Sequence, residues 1–154
     1  MSFPIACRVA DHGDIAAMSE IRLSVAENIL SDPARVTLAD YATYLTGPGQ
    51  SWVAESDGRI LAFGAANRSG LIWALFVRPG FEGRGLGRLL MRQCLAWLER
   101  AGVTRAYLDT GAGTRAEGFY RALGWREIRR EGSRIDFEWL LKPEPSALSD
   151  GRPA

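Results

Sequence analysis

The sequence predicts an α+β, or mixed α/β, fold: one domain over residues 1–142, with about seven strands in a central, mostly antiparallel twisted sheet and about four helices. Three observations carry this. The elements follow the order β-α-α-β-β-β-α-β-α-β-β, so strands outnumber helices and a helix separates the middle strands from the later ones. The run Leu71-Ile72-Trp73-Ala74-Leu75-Phe76-Val77 is continuously apolar, as in a central strand covered on both faces. Asp57-Gly58 stands between two strand-like segments and is a strong hairpin signal.

In chain order, residues 3–9 are short and apolar and read as a first strand. Asp11 can cap the helix that follows over 13–30, where Ile15, Met18, Ile21, Val25 and Ile29 recur at steps of three and four. Asp32-Pro33 breaks that pattern. Thr37 with Asp40 has the form of a capping box ahead of a second helix over 38–45, which Gly47-Pro48-Gly49 stops. Strands at 51–55 and 60–66 flank the turn Ser56-Asp57-Gly58-Arg59, and the apolar run 71–77 is the next strand. A helix over 86–101 places Leu86, Leu90, Cys94, Trp97 and Ala101 on one stripe, broadened by Leu89, Leu95 and Leu98, and Gly102 ends it. Residues 105–109 form a strand, 114–123 a short helix stopped by Gly124, and 125–130 with 134–141 a strand pair around Glu131-Gly132-Ser133. Residues 143–154 lack apolar periodicity and read as a flexible tail.

Composition narrows the function. A chain of 154 residues can bury a real core, and its formal net charge of +1 sets up no global field for nucleic acid or an anionic membrane. No window approaches the about 18 apolar residues of a membrane span. The first eight positions lack the pattern of a secretory signal, so a cytoplasmic location is expected. The cysteines, Cys7 and Cys94, lack the paired spacing of a zinc site, and no metal is expected. His12 is the only histidine, which argues against a Ser-His-Asp or Cys-His enzyme.

The sharpest local feature is Phe76-Val77-Arg78-Pro79-Gly80-Phe81-Glu82-Gly83-Arg84-Gly85-Leu86-Gly87-Arg88, a strand leading through a glycine-rich loop into a helix. The first amides of a helix have no internal partners and, with the helix dipole, form an anion site. Arg78, Arg84, Arg88 and Arg92 stand against Glu82 alone in this stretch, an unfavourable gathering of cations at a helix N-terminus unless an anion sits there. A Walker loop is excluded because Leu86 and Gly87 occupy its Lys and Ser/Thr positions. A dinucleotide fingerprint is excluded because the third glycine falls on Arg88 or Leu90, and because this loop does not follow a first strand.

Glu82-Gly83-Arg84-Gly85-Leu86-Gly87 resembles the pyrophosphate loop Gln/Arg-x-x-Gly-x-Gly/Ala of the GNAT acetyltransferase superfamily, with Glu82 departing from the first position. Ala116-Glu117-Gly118-Phe119-Tyr120-Arg121-Ala122-Leu123-Gly124-Trp125 resembles that family's Ala-x-x-Phe-Tyr-x-x-x-Gly-Phe segment, with Trp125 for the last Phe. The resemblance covers roughly residues 3–141.

It implies a single GNAT-like domain that uses acetyl-CoA as co-substrate and acetylates an amine of a small molecule or peptide. The pantetheine arm would bond to backbone near Leu75, Phe76 and Val77. The pyrophosphate would sit on Glu82, Gly83, Arg84, Gly85, Leu86, Gly87 and Arg88, with Glu82 turned outward. The strand over 105–109 would splay from the central strand and leave a slot for the thioester. Tyr120 would protonate the departing thiolate, being neutral at an ordinary pKa of about 10. The amine would attack directly, without an acyl-enzyme.

A lysine-like amine is neutral in only about one molecule in 2,500 at pH 7, so its proton must be removed. Glu27, Glu55, Asp109, Glu138 or a water chain could do this, and the sequence selects none. The acceptor region implied by the family involves Arg22, Glu27, Asn28 and Asp32, with Trp52, Trp73 and Trp125 nearby. No nucleic-acid or membrane partner is expected, and a homodimer is allowed for. The competing readings are a non-catalytic acyl-CoA-binding regulatory or sensor domain and a partner-binding domain with a vestigial loop.

Overall fold

The computed structural model describes residues 4–25, 37–45 and 47–142. Its elements are β1 (Ala6–Val9), a 3-10 turn (His12–Asp14), α1 (Ile15–Ser24), α2 (Leu38–Ala42), β2 (Gly49–Ser56), β3 (Arg59–Asn67), β4 (Ile72–Val77), α3 (Leu86–Arg100), β5 (Arg105–Gly111), α4 (Arg115–Leu123), β6 (Arg126–Glu131) and β7 (Arg134–Leu140). The fold is α+β as predicted. Its strands divide into a four-stranded sheet, β1-β2-β3-β4, and a three-stranded sheet, β5-β7-β6. The described residues form two compact units: those up to Asn67 with Trp73–Cys94, and Arg68–Ile72 with those from Leu95 on.

In the first unit, β1 and β3 pair antiparallel with the two edges of β2. The β2–β3 turn follows the sequence signal: Ser56 faces Arg59, and Asp57 (φ 52°) and Gly58 (φ 76°) both take the left-handed conformation of a type I′ turn. The capping box of Thr37 and Asp40 is present, with Asp40 accepting from the Thr37 amide at 2.7 Å and Thr37 accepting from the Asp40 amide at 3.2 Å. Asp11 caps the 3-10 turn ahead of α1.

Arg8 ties β1 to this turn by two bonds to Asp14, at 2.8 and 2.9 Å, and to β2 through Glu55 at 2.8 Å. The Arg8 guanidinium holds the Asp14 carboxyl below its ordinary range. Ile15, Met18 and Ile21 of α1, Tyr41 of α2 and Val53 and Phe63 of the sheet share one core.

Two expectations change here. The first helix stops at Ser24, whose hydroxyl donates to the Ile21 carbonyl at 2.7 Å, and Val25 is already extended. The expected continuation to residue 30, including Ile29, and the Asp32-Pro33 break lie outside the described residues, as does the tail over 143–154. The apolar run 71–77 is not a central strand of its sheet. β4 is the last strand of its sheet, and Trp73, Leu75, Phe76 and Val77 are only half-buried. Continuous hydrophobicity marked its importance but could not tell an interior strand from an end one.

In the second unit β7 lies between β5 and β6, antiparallel to both. The Tyr107 amide donates to the Gly70 carbonyl at 2.9 Å, and Leu71 makes a lone parallel bridge to Tyr107. Thr114 caps α4 through the Glu117 amide, and Gly124 (φ 104°) closes it. Buried Leu108, Tyr120, Trp125, Ile135 and Phe137 belong to this unit. α3 ends at Arg100; its buried stripe includes Met91, while Ala101 lies exposed beyond it.

Candidate functional site

β4 delivers the chain into the loop through a tight turn. The Phe81 amide donates to the Arg78 carbonyl at 3.0 Å, with Pro79 second and Gly80 at φ 95° third, the form of a type II turn. The Arg78 amide donates to the Leu61 carbonyl at 2.7 Å. Its guanidinium donates to the Ile60 carbonyl at 3.0 and 3.2 Å and pairs with Glu20. This corrects the local charge count. Glu20 comes from α1, so Arg78 fastens the end of β4 to β3 and α1 instead of adding to a bare cation cluster.

Past Phe81 the backbone opens. Gly83 (φ 76°) and Gly85 (φ 83°) occupy the left-handed region, and a Cβ at either position would meet no atom within 4 Å. The first helical bond of α3 runs from the Leu89 amide to the Gly85 carbonyl at 3.0 Å. By helix geometry the amides of Leu86, Gly87 and Arg88 therefore have no carbonyl partner within α3. These three amides and the helix dipole suit an anion, and the loop leaves space for one to approach the backbone. Glu82, the departure from the family loop, accepts from the Gly80 amide at 2.9 Å, engaging the preceding turn. Arg84 and Arg88 are exposed.

Two contacts fix where this helix end lies in the first unit. Leu86 is buried at the start of α3. Further along, α3 rests on β3 at Gly64, where an added Cβ would come within 3.4 Å of Leu90 and Cys94 and 3.2 Å of Leu75. Leu75, Phe76 and Val77 of β4 complete the predicted cofactor-binding set in this unit.

Tyr120, the predicted acid, lies in the second unit on α4. It is 7% exposed, and its ring is bracketed by Phe119 (5.4 Å between centroids), Trp125 (6.0 Å) and Phe137 (6.1 Å). Such packing fixes the ring in one orientation.

Among the base candidates, Glu138 of β7 is held by Arg105 at 2.8 Å and by Arg126. The Arg105 guanidinium first, and Arg126 with it, lower its pKa. Glu55 is bonded to Arg8. Asp109 is exposed, with Arg134 at 3.7 Å. Glu27, Asn28 and Asp32 lie outside the described residues.

Of the aromatic residues named for the acceptor region, Trp52 and Trp125 are buried. Trp73 is half-buried, stacked on Tyr44 at 4.2 Å and met edge-on by Tyr41 at 5.4 Å. Burial pushes the Tyr41 phenol above its ordinary pKa. Sequence reading missed one feature of the loop: Phe81 is flanked by Arg84 and by Arg59, which belongs to the β2–β3 hairpin. No motif links these positions along the chain.

Residues 15–125 match the sequence profile of the Acetyltransferase (GNAT) family, a span that holds both motifs. Serotonin N-acetyltransferase 2, chloroplastic, from Oryza sativa subsp. japonica is 39% identical over 74 residues, which is 46% of this chain and 36% of that protein. The chain thus spans about a third of that curated relative's length. Among solved structures, a GNAT-family acetyltransferase from Staphylococcus aureus Mu50 superposes with a TM-score of 0.78 at 20% identity, covering 90% of this chain and 100% of that one. A putative acetyltransferase from Salmonella typhimurium, solved with its cofactor acetyl-CoA, superposes at 0.72 with 19% identity over 92% and 96% of the two chains. At these identities the superpositions speak for the fold, and the profile match over most of the chain speaks for descent: this protein belongs to the acetyltransferase (GNAT) family.

Proposed function

We propose that this chain is an N-acetyltransferase that moves the acetyl group of acetyl-CoA directly to an amine of a small molecule or peptide. The observation that carries the reading is the unit of β4, open glycine loop and α3, with Gly83 and Gly85 in the left-handed region and clear space over both. The residues from Glu82 to Arg88 would receive the pyrophosphate through the leading amides of α3. Leu75, Phe76 and Val77, on a strand that ends its sheet, would offer backbone groups to the pantetheine amides in the manner of an added strand.

In the reaction the amine lone pair attacks the acetyl carbonyl carbon, the carbon–sulfur bond breaks, and the sulfur leaves with the bonding electrons. Tyr120 gives that sulfur a proton, and the proton lost by the amine returns to solvent. The arginine-paired Glu138 has reduced affinity for a proton, which favours a water chain over that carboxylate. We place the protein in the cytoplasm, a reading supported by its free thiols Cys7 and Cys94. Among the described residues no helix is long and apolar enough to cross a membrane.

The test is incubation with acetyl-CoA and a panel of amines, with release of free CoA thiol as the readout. Serotonin belongs in the panel because the rice relative's name specifies it. Thiol release that depends on one amine supports the reading. Binding of acetyl-CoA without release on any amine would favour a sensor.

A further inference from the structure

β1 and β6 each end a sheet, and their edges are built differently. β6 carries Arg126, Glu127, Arg129, Arg130 and Glu131 around Ile128, and its register shifts between Glu127 and Arg129. Charges and a bulge are the usual means of keeping an open strand from pairing with another chain. β1, Ala6-Cys7-Arg8-Val9, has neither protection. Its register against β2 is unbroken, and its one charged side chain, Arg8, is turned to Asp14 and Glu55 of its own chain. Among the described residues no strand pairs with its outer edge, where Ile5 and Val9 are 39% and 47% exposed.

The register says which backbone groups face outward. The Ala10 amide donates to the Ser51 carbonyl at 2.8 Å, one step beyond the Val9–Trp52 pair. Hydrogen-bonded and non-bonded pairs alternate along an antiparallel ladder. Ala6 and Arg8 therefore bond to β2, while the amides and carbonyls of Cys7 and Val9 point away from it. The Val9 carbonyl accepts a long bond of 3.3 Å from Arg8, which occupies one of its two lone pairs.

An added antiparallel strand must set outward residues against outward residues. A second copy of β1 with its Val9 against Cys7 would put Arg8 directly opposite the partner's Arg8, a like-charge pair. Cys7 against the partner's Cys7 avoids this. It sets Arg8 against the partner's Ala6 and Val9 against the partner's Ile5, so both exposed apolar side chains gain cover. Cys7, a half-buried free thiol, then lies on the two-fold axis. The segment is complementary to an inverted copy of itself in hydrogen bonds, charge and apolar contact.

We propose that the outer edge of β1 is a homodimer interface, at which two copies pair antiparallel about Cys7 and join their four-stranded sheets into one. The proposal is independent of the acetyl-CoA reading, because β1 and β4 are opposite ends of that sheet.

Sedimentation equilibrium of the full chain, with amide exchange followed by NMR, tests it. So short an interface should give concentration-dependent dimers with a Kd in roughly the micromolar range. As dimers form, the amides of Cys7 and Val9 should exchange about tenfold more slowly or better, and that of Arg8, already bonded to β2, should change less. Val9→Lys puts a charge into the apolar contact and should raise Kd about tenfold or more. Cys7→Pro removes an amide that β2 does not use and should abolish pairing. Thermal melts establish that both variants are folded, and Val9→Lys, at an exposed position, keeps the test decisive if Cys7→Pro unfolds.

A chain that stays monomeric up to about 0.5 mM overturns the proposal and leaves the edge to a strand of a different protein. Dimerisation unchanged by Val9→Lys overturns it too, as does exchange at Cys7 and Val9 that ignores concentration. Failure to bind CoA would sink the acetyl-CoA reading and leave this proposal standing.

Discussion

Gly64 of β3 lies directly beneath Leu90 of α3: a Cβ on Gly64 would stand 3.4 Å from the Cβ of Leu90, with Cys94 equally close and Leu75 closer still at 3.2 Å. The missing side chain lets α3 settle onto β3, and the depth of that contact fixes where the leading amides of the helix lie. Gly64→Val should overpack this seam and destabilise the protein by about 1–3 kcal/mol. Chemical denaturation measures the loss. CoA affinity measured below the unfolding transition should also weaken, because α3 must lift to make room.

Gly85 supplies the carbonyl that starts α3 while holding a φ of 83°. An alanine there meets no neighbour but must adopt left-handed backbone at a cost of roughly 1–2 kcal/mol. Gly85→Ala should therefore lower stability by about that amount and weaken CoA binding, since relief of the strain turns the loop amides away. Paired denaturation and calorimetry separate the two effects. Unaltered CoA affinity in a destabilised variant would show that the loop amides do not hold the ligand.

Tyr120→Phe retains the ring that Phe119, Trp125 and Phe137 bracket and removes only the hydroxyl. If that hydroxyl protonates the leaving sulfur, kcat should fall roughly a hundred- to ten-thousand-fold, with little change in KM for acetyl-CoA. Steady-state kinetics at saturating amine provide the check. Turnover equal to that of the unmodified chain would remove Tyr120 from the chemistry and leave it as a core residue.

Glu138 and Asp14 are both held below their ordinary pKa by arginines: Glu138 by Arg105 and then Arg126, Asp14 chiefly by Arg8. A carboxyl whose pKa is depressed on folding stabilises the native state at pH values above its unfolded pKa. That contribution disappears as pH falls through the lower, folded value. The melting temperature should accordingly hold steady above the ordinary carboxylate values of 3.8 and 4.5 and drop at more acid pH. In Glu138→Gln the acid drop should be shallower, since one of the titrating pairs is gone. Melting curves across an acid pH series read this directly; an acid limb of unchanged steepness would count against the Glu138 pairing.

Much of the architecture was legible because it is written in local chemistry. Asp57-Gly58 selects a type I′ turn through the backbone freedom of those two positions. Thr37 with Asp40 satisfies the first amides of α2, and Thr114 and Gly124 delimit α4. The strand–loop–helix motif was legible for the same reason, since glycine spacing reports where a backbone must be bare. Where α1 ends was less so: Ser24 turns its hydroxyl back on Ile21, an option equally open to a serine that continues a helix.

By itself, the sequence determined the type and order of the elements, the family, and the glycine loop that leads into α3, because each depends on residues close together along the chain. Only the tertiary structure decided that β4 ends its sheet, that Arg78 belongs to Glu20 and the Ile60 carbonyl, and that Arg59 joins Arg84 at Phe81. Each of these is a pairing of groups far apart in sequence. An arginine's long side chain can serve a carboxylate, a carbonyl or a ring with similar energy, so the packing around it makes the choice.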